Sequence, residues 1–170
     1  MVQNEPYKSW IDTEKVGILG WSMGGMASAA NAANKAATDA LNIKAAVAMM
    51  PAAWWGGPIT IPTFFISGDL DEWTPWQNVR RMFELTEEAP KVYLQMKDAP
   101  HWIPSLSYYD YPESILWPDG WNSPITLWIL NYFNCHLHDS TTDCTAIYGT
   151  ESTSLCFSSL VHKTSCEAHE

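Results

Sequence analysis

Charge is scarce in this 170-residue sequence: Asp, Glu, Lys and Arg make up 16% of it, with only nine Lys and Arg against nineteen Asp and Glu. The formal charge of −10, with no cluster among the basic side chains, would repel phosphate backbones and acidic lipid surfaces, so nucleic acid is not an expected partner. Long apolar runs are missing as well. None approaches the roughly 20 residues a membrane helix needs, so no membrane partner is expected. The opening Met-Val-Gln-Asn-Glu-Pro has neither the basic end nor the apolar stretch of a signal peptide. Internal repeats and low-complexity linkers are also lacking, and the 46% apolar content argues against disorder and for one globular core.

Cysteine is absent before Cys135, and then Cys135, Cys144, Cys156 and Cys166 follow in a Ser/Thr-rich, weakly periodic tail. Two disulfides are the natural reading, in any of three pairings. His136 and His138 stand close enough for a metal site to be weighed, but the irregular spacing favours disulfides and no metal is expected. Oxidised cysteines imply a secreted or periplasmic protein. The composition shift divides the chain into a core over 1–138 and a Cys-containing extension over 139–170.

Short apolar runs punctuate the core. Lys15 to Leu19 reads as a strand ending at Gly20, and after Ser22, Gly24 and Gly25 an Ala-rich helix runs to about Thr38. Ala45 to Met50, Thr63 to Ser67 and Lys91 to Met96 read as buried strands, since parallel strands covered on both faces lose polar alternation. Pro75 opens an amphipathic helix to about Glu88, and Ser123 to Phe133, entered through Pro124, forms the last one. An aromatic, Pro-rich loop over Pro104 to Pro118 lies between. The expected fold class is therefore α/β: a mostly parallel sheet of about four strands with flanking helices and a disulfide-stapled tail.

Gly20-Trp21-Ser22-Met23-Gly24 matches the G-x-S-x-G nucleophile elbow, with the strand before it and the helix after it that the motif requires. The N–H of Met23 should be one donor of an oxyanion hole. A serine hydroxyl needs a base, and the base needs a group that fixes its tautomer. Asp71, just after the third strand, and His101, in the loop after the fourth, supply both, in the chain order Ser, Asp, His of α/β-hydrolases. In an open parallel sheet all three sit at the carboxyl ends of strands. Asp69 is the rival acid, and its bland reading is a turn residue. His136, His138, His162 and His169 fall after the last helix and read as solvated surface residues. Ten tryptophans are many for this length. Trp21, Trp54, Trp55, Trp73 and Trp102 fall beside strand ends, and as a group they imply an aromatic-lined cleft suited to a hydrophobic ester.

With these residues in view, the chain resembles the polyester hydrolases, the cutinase and poly(ethylene terephthalate) (PET) hydrolase group of α/β-hydrolases. The resemblance runs from about Lys15 to Cys144 and rests on VGILGWSMGG (Val16 to Gly25), IPTFFISGDLDEWTP (Ile61 to Pro75) and DAPHWIPS (Asp98 to Ser105). It implies a Ser22–His101–Asp71 triad, an oxyanion-hole N–H from Met23, and substrate contacts from Trp21 and from Trp54 or its neighbour Trp55; Trp102, from its place beside the strand ends, is expected to contact substrate as well. It further implies that Cys144 pairs with Cys156 or Cys166. Members of the group begin with additional strands and a second oxyanion donor that this chain lacks, so the chain would be the C-terminal half of the fold, N-terminally truncated, with the strand Lys15 to Leu19 as an exposed edge. Such an edge invites pairing with another chain. An extra disulfide near the site of some polyester hydrolases is missing, Gly68 and Ile103 standing at those positions.

The expected function is a serine carboxylic-ester hydrolase acting through an acyl-enzyme on hydrophobic or aromatic esters, PET among them, with no metal or organic cofactor. Its rivals are a catalytically inert fragment acting in binding or assembly, and an aromatic surface that binds polysaccharide.

Overall fold

The computed structural model describes residues 7–53, 57–87, 89–102, 124–149 and 161–169, the last by backbone alone. Its centre is a sheet of four parallel strands, β1 (Val16–Trp21), β2 (Ile43–Met49), β3 (Thr63–Gly68) and β4 (Lys91–Met96), laid side by side in chain order. A fifth strand, β5 (Val161–His169), adds to β4 in the antiparallel sense, His169 facing Lys91 and Ala168 facing Val92. The four apolar runs read from the sequence are these parallel strands, with boundaries shifted by at most two residues and that of Lys91–Met96 unchanged.

Burial on both faces explains why β2, β3 and β4 show no polar alternation, yet a period of two still sorts their side chains into two layers. Ala45, Val47, Met49, Phe64, Ile66, Val92, Leu94 and Met96 face one side. There they pack on Ile125, Trp128 and Tyr132 of α4 (Pro124–His138) and Ile147 of α5 (Thr141–Tyr148). Ala46, Ala48, Phe65 and Tyr93 face the other side and meet Ala29 and Ala32 of α1 (Met23–Ala32) and Val79, Met82 and Phe83 of α3 (Trp76–Glu84). The small side chains of β2 and α1 let that helix lie close on the sheet beside Ser22.

The Ala-rich helix expected to run to Thr38 is in fact two. α1 closes at Ala33, and α2 (Lys35–Leu41) starts from Asn34, whose side chain accepts the N–H of Ala37. An asparagine that caps a new helix satisfies N–H groups left free at its start, which ends the preceding one. Within the tail, residues 141–148 form a helix that the composition does not imply. A two-residue turn at Asp139 (φ 53°) and Ser140 folds α5 back along α4, and Ser140 caps α5 by accepting the N–H of Asp143.

That hairpin settles one cysteine pairing. Cys135 on α4 and Cys144 on α5 form a disulfide, their Cα atoms 4.7 Å apart. The pairing of Cys144 with Cys156 or Cys166 implied by the resemblance is thus corrected: the helical hairpin places Cys135 beside Cys144. Cys156 lies outside the described residues, and Cys166 is described only as part of the β5 backbone. Among the described residues no helix is long and apolar enough to cross a membrane.

Candidate active site

Ser22, Asp71 and His101 gather at the carboxyl ends of the parallel strands, where loops leave an open sheet. β1 ends at Trp21, and Ser22 turns the chain into α1 with φ 58° and ψ −118°. A positive φ on a serine costs on the order of 1–3 kcal/mol and persists only where its surroundings hold it. Here they do: the Ser22 N–H donates to the Met49 carbonyl, and the Ser22 carbonyl accepts from the N–H groups of Met26 and Ala52. A Cβ on Gly20 would lie 2.1 Å from the Gly24 carbonyl oxygen, so only glycine lets the helix close on the strand at this turn. Met23 is the first residue of α1, and its N–H belongs to the turn that has no intrahelical acceptor.

β3 and β4 deliver the other two groups, and their loops are fastened together. Leu70 N–H donates to the Ala99 carbonyl, and Ala99 N–H donates to Asp69 Oδ1 at 3.1 Å. Asp69, the rival acid in the sequence reading, is therefore occupied in tying the β3 loop to the β4 loop. Gly68 allows this approach, because a Cβ there would sit 2.2 Å from the Ala99 oxygen. The same geometry leaves no room for a cysteine at that position.

Between these loops lies an unbroken relay. Ser22 Oγ is 2.9 Å from His101 Nε2, and His101 Nδ1 is 2.8 Å from Asp71 Oδ2. Both partners of the second contact are buried, His101 at 2% and Asp71 at 5% exposure. Asp71 Oδ1 also accepts the N–H groups of Trp73 and Thr74, which fixes the carboxylate in a tight turn. An ionised carboxylate accepts only, so Nδ1 carries the proton and Nε2 presents its lone pair to the serine hydroxyl.

Three tryptophans surround the imidazole. Trp21 donates its indole N–H to the His101 carbonyl at 3.0 Å, pinning the loop from below. Trp73 lies nearly parallel to the ring, with centroids 5.8 Å apart and 13° between planes. Trp102 meets it edge-on at 5.4 Å. Trp73, Trp102 and Met23 are largely exposed, so the site opens onto an apolar, aromatic rim. Trp54 and Trp55 lie outside the described residues, as do Ile103 and the aromatic loop after it.

Of the other histidines, His162 and His169 are described by backbone alone, and His136 lies on α4. His136 is not a solvated surface residue as expected: its Nε2 lies 2.8 Å from the Tyr148 hydroxyl and its ring packs on Tyr132. Burial lowers this imidazole from its ordinary 6.5 to about 4, against the opposing pull of Asp139. The sequence reading missed Thr74. Its hydroxyl touches both Asp71 and His101, and the only signal was a hydroxyl residue three positions after the acid.

Comparison with known proteins follows the same line. A profile of the PET hydrolase-like family matches residues 1–117. Lipase 1 of Moraxella sp. (strain TA144) is 27% identical over 138 residues, 79% of this chain and 38% of that protein. Cutinase 1 of Thermobifida cellulosilytica is 29% identical over 106 residues, 58% of this chain and 37% of the cutinase. The cutinase of Thermobifida fusca (strain YX) is also 29% identical over 106 residues, 33% of its length. The chain thus spans 33–38% of the length of these relatives. With its elbow, its parallel sheet and a profile match over most of its length, the chain belongs to the PET hydrolase-like family of α/β-hydrolases.

Proposed function

We propose that this chain carries the nucleophile and the acid–base machinery of a serine carboxylic-ester hydrolase. The observation that carries the reading is the relay of 2.9 and 2.8 Å from hydroxyl through imidazole to carboxylate. In the first step Ser22 Oγ attacks the ester carbonyl as His101 Nε2 takes its proton, and Asp71 stabilises the imidazolium that results. The oxygen that becomes negative is stabilised by the Met23 N–H at the start of α1, a donor of a kind whose loss costs roughly 100- to 1,000-fold in rate. Collapse of the tetrahedral intermediate expels the alcohol, protonated by His101, and leaves an acyl group on Ser22. Water, deprotonated by the same imidazole, then releases the acid. This chemistry calls for no metal or organic cofactor.

The exposed rim of Trp73, Trp102 and Met23 fits a hydrophobic or aromatic ester, and PET belongs to that class. Trp21 and Trp102 are assigned to the cleft beside the serine, with Trp54 as their expected companion. The names of the relatives, two cutinases and a lipase, agree with an ester substrate. The disulfide fits an oxidising compartment outside the cytoplasm.

Ser22→Ala is expected to abolish hydrolysis of a p-nitrophenyl ester while leaving the circular dichroism spectrum unchanged. Turnover equal to that of the unaltered chain would refute the assignment. One observation favours a second reading, an inert fragment that acts in binding or assembly: among the described residues β1 has no strand on its outer side. The two readings part at the reactivity of Ser22, which only the first requires.

A further inference from the structure

The Asp71 carboxylate has its hydrogen-bonding capacity filled, and one residue fills half of it. Oδ1 accepts the N–H of Trp73 at 2.9 Å and of Thr74 at 2.7 Å. Oδ2 accepts Nδ1–H of His101 at 2.8 Å and the Thr74 hydroxyl at 2.5 Å. Because a carboxylate only accepts, the Thr74 hydroxyl is the donor in that contact. Its oxygen keeps its lone pairs and lies 3.3 Å from His101 Nδ1, so the three atoms close a ring.

The turn itself does not need that hydroxyl. The backbone N–H groups of Trp73 and Thr74 close on Oδ1 whatever side chains they carry, as in any Asx turn. Thr74 is 5% exposed and lies on the Nδ1 side of the imidazole, whereas Ser22 meets Nε2. In a buried site a valine would fill the same volume, so the hydroxyl answers a polar requirement and not a packing one.

We infer that Thr74 is a positioning residue, the fourth member of the relay, whose hydroxyl holds Asp71 Oδ2 in line with His101 Nδ1. Without it Oδ2 keeps a single donor, and the tilt of the carboxylate is set by the two N–H bonds to Oδ1 alone. The imidazole is then held less firmly at the moment it carries the proton from Ser22. This rests on the reading of Ser22, His101 and Asp71 as a triad.

The full chain serves for the test, with Thr74→Val and Thr74→Ser. Thr74→Val should lower kcat on a p-nitrophenyl ester by on the order of tenfold, the worth of one hydrogen bond to a charged group, and leave KM unchanged. Thr74→Ser should restore kcat. The downfield proton resonance of His101 Nδ1–H should move in Thr74→Val and return in Thr74→Ser. An unmoved resonance with unchanged kcat would overturn the inference, as would a loss in Thr74→Val that appears only in thermal stability or that serine does not rescue. Failure of the triad reading looks different: Ser22 of the unaltered chain would be unreactive toward a fluorophosphonate. The resonance then decides by itself whether the hydroxyl holds the pair.

Discussion

A hydroxyl, a carboxylate and an imidazole separated in turn by 49 and 30 residues of chain meet here because each ends or follows a parallel strand. Their identities and order were legible in the sequence, since the elbow demands glycines around the serine and the base and acid follow in turn. Thr74 was not legible: its importance comes from the turn that swings it back onto Asp71, and nothing local distinguishes it from an ordinary threonine. Asp69 was read as a rival acid, and its part in fastening the two loops depends on a contact across 30 residues. Asp69→Ala leaves the buried Ala99 N–H without its acceptor, at a cost of about 1–3 kcal/mol. Urea denaturation should show that loss, and kcat should fall with it because His101 lies two residues beyond Ala99. A variant as stable and as active as the parent would remove the clamp from the account.

At the scale of elements, the four parallel strands were visible as unbroken apolar runs, because burial on both faces selects such residues throughout. α5 and β5 were not. α5 begins Thr-Thr-Asp-Cys-Thr, residues of weak helical preference, and owes its start to the Ser140 cap and its place to the disulfide. β5 reads Val-His-Lys-Thr-Ser-Cys-Glu-Ala-His, with no apolar alternation to mark it, and becomes a strand by pairing with β4. The hairpin of α4 and α5 supplies two tests. Reducing the Cys135–Cys144 bond frees a loop of about ten residues and should lower stability by roughly 2–3 kcal/mol, measured as a shift in the urea midpoint. His136 supplies the other. It is neutral in the fold down to about pH 4 but takes up a proton near 6.5 once unfolded. Its contribution is therefore present above about 6.5 and is lost as pH falls toward about 4. Denaturation midpoints between neutral pH and pH 4 should fall more steeply in the parent than in His136→Gln, and parallel curves would contradict this.

The described residues form a three-layer α/β/α arrangement in which β1 stands at one edge of the sheet, with Leu19 more than half exposed there. An apolar edge strand with free N–H and C=O groups is a template for another strand. We therefore expect the isolated chain to self-associate with rising concentration in sedimentation velocity, and Leu19→Lys to return it to monomer. A parent that stays monomeric at every concentration would remove that expectation. The central claim concerns the opposite region, the carboxyl ends of the strands. It is tested most directly by treating the folded chain with a fluorophosphonate and locating the adduct by mass spectrometry. The account predicts one adduct, on Ser22, greatly diminished in His101→Gln; a folded chain that takes no label, or takes it elsewhere, would contradict it.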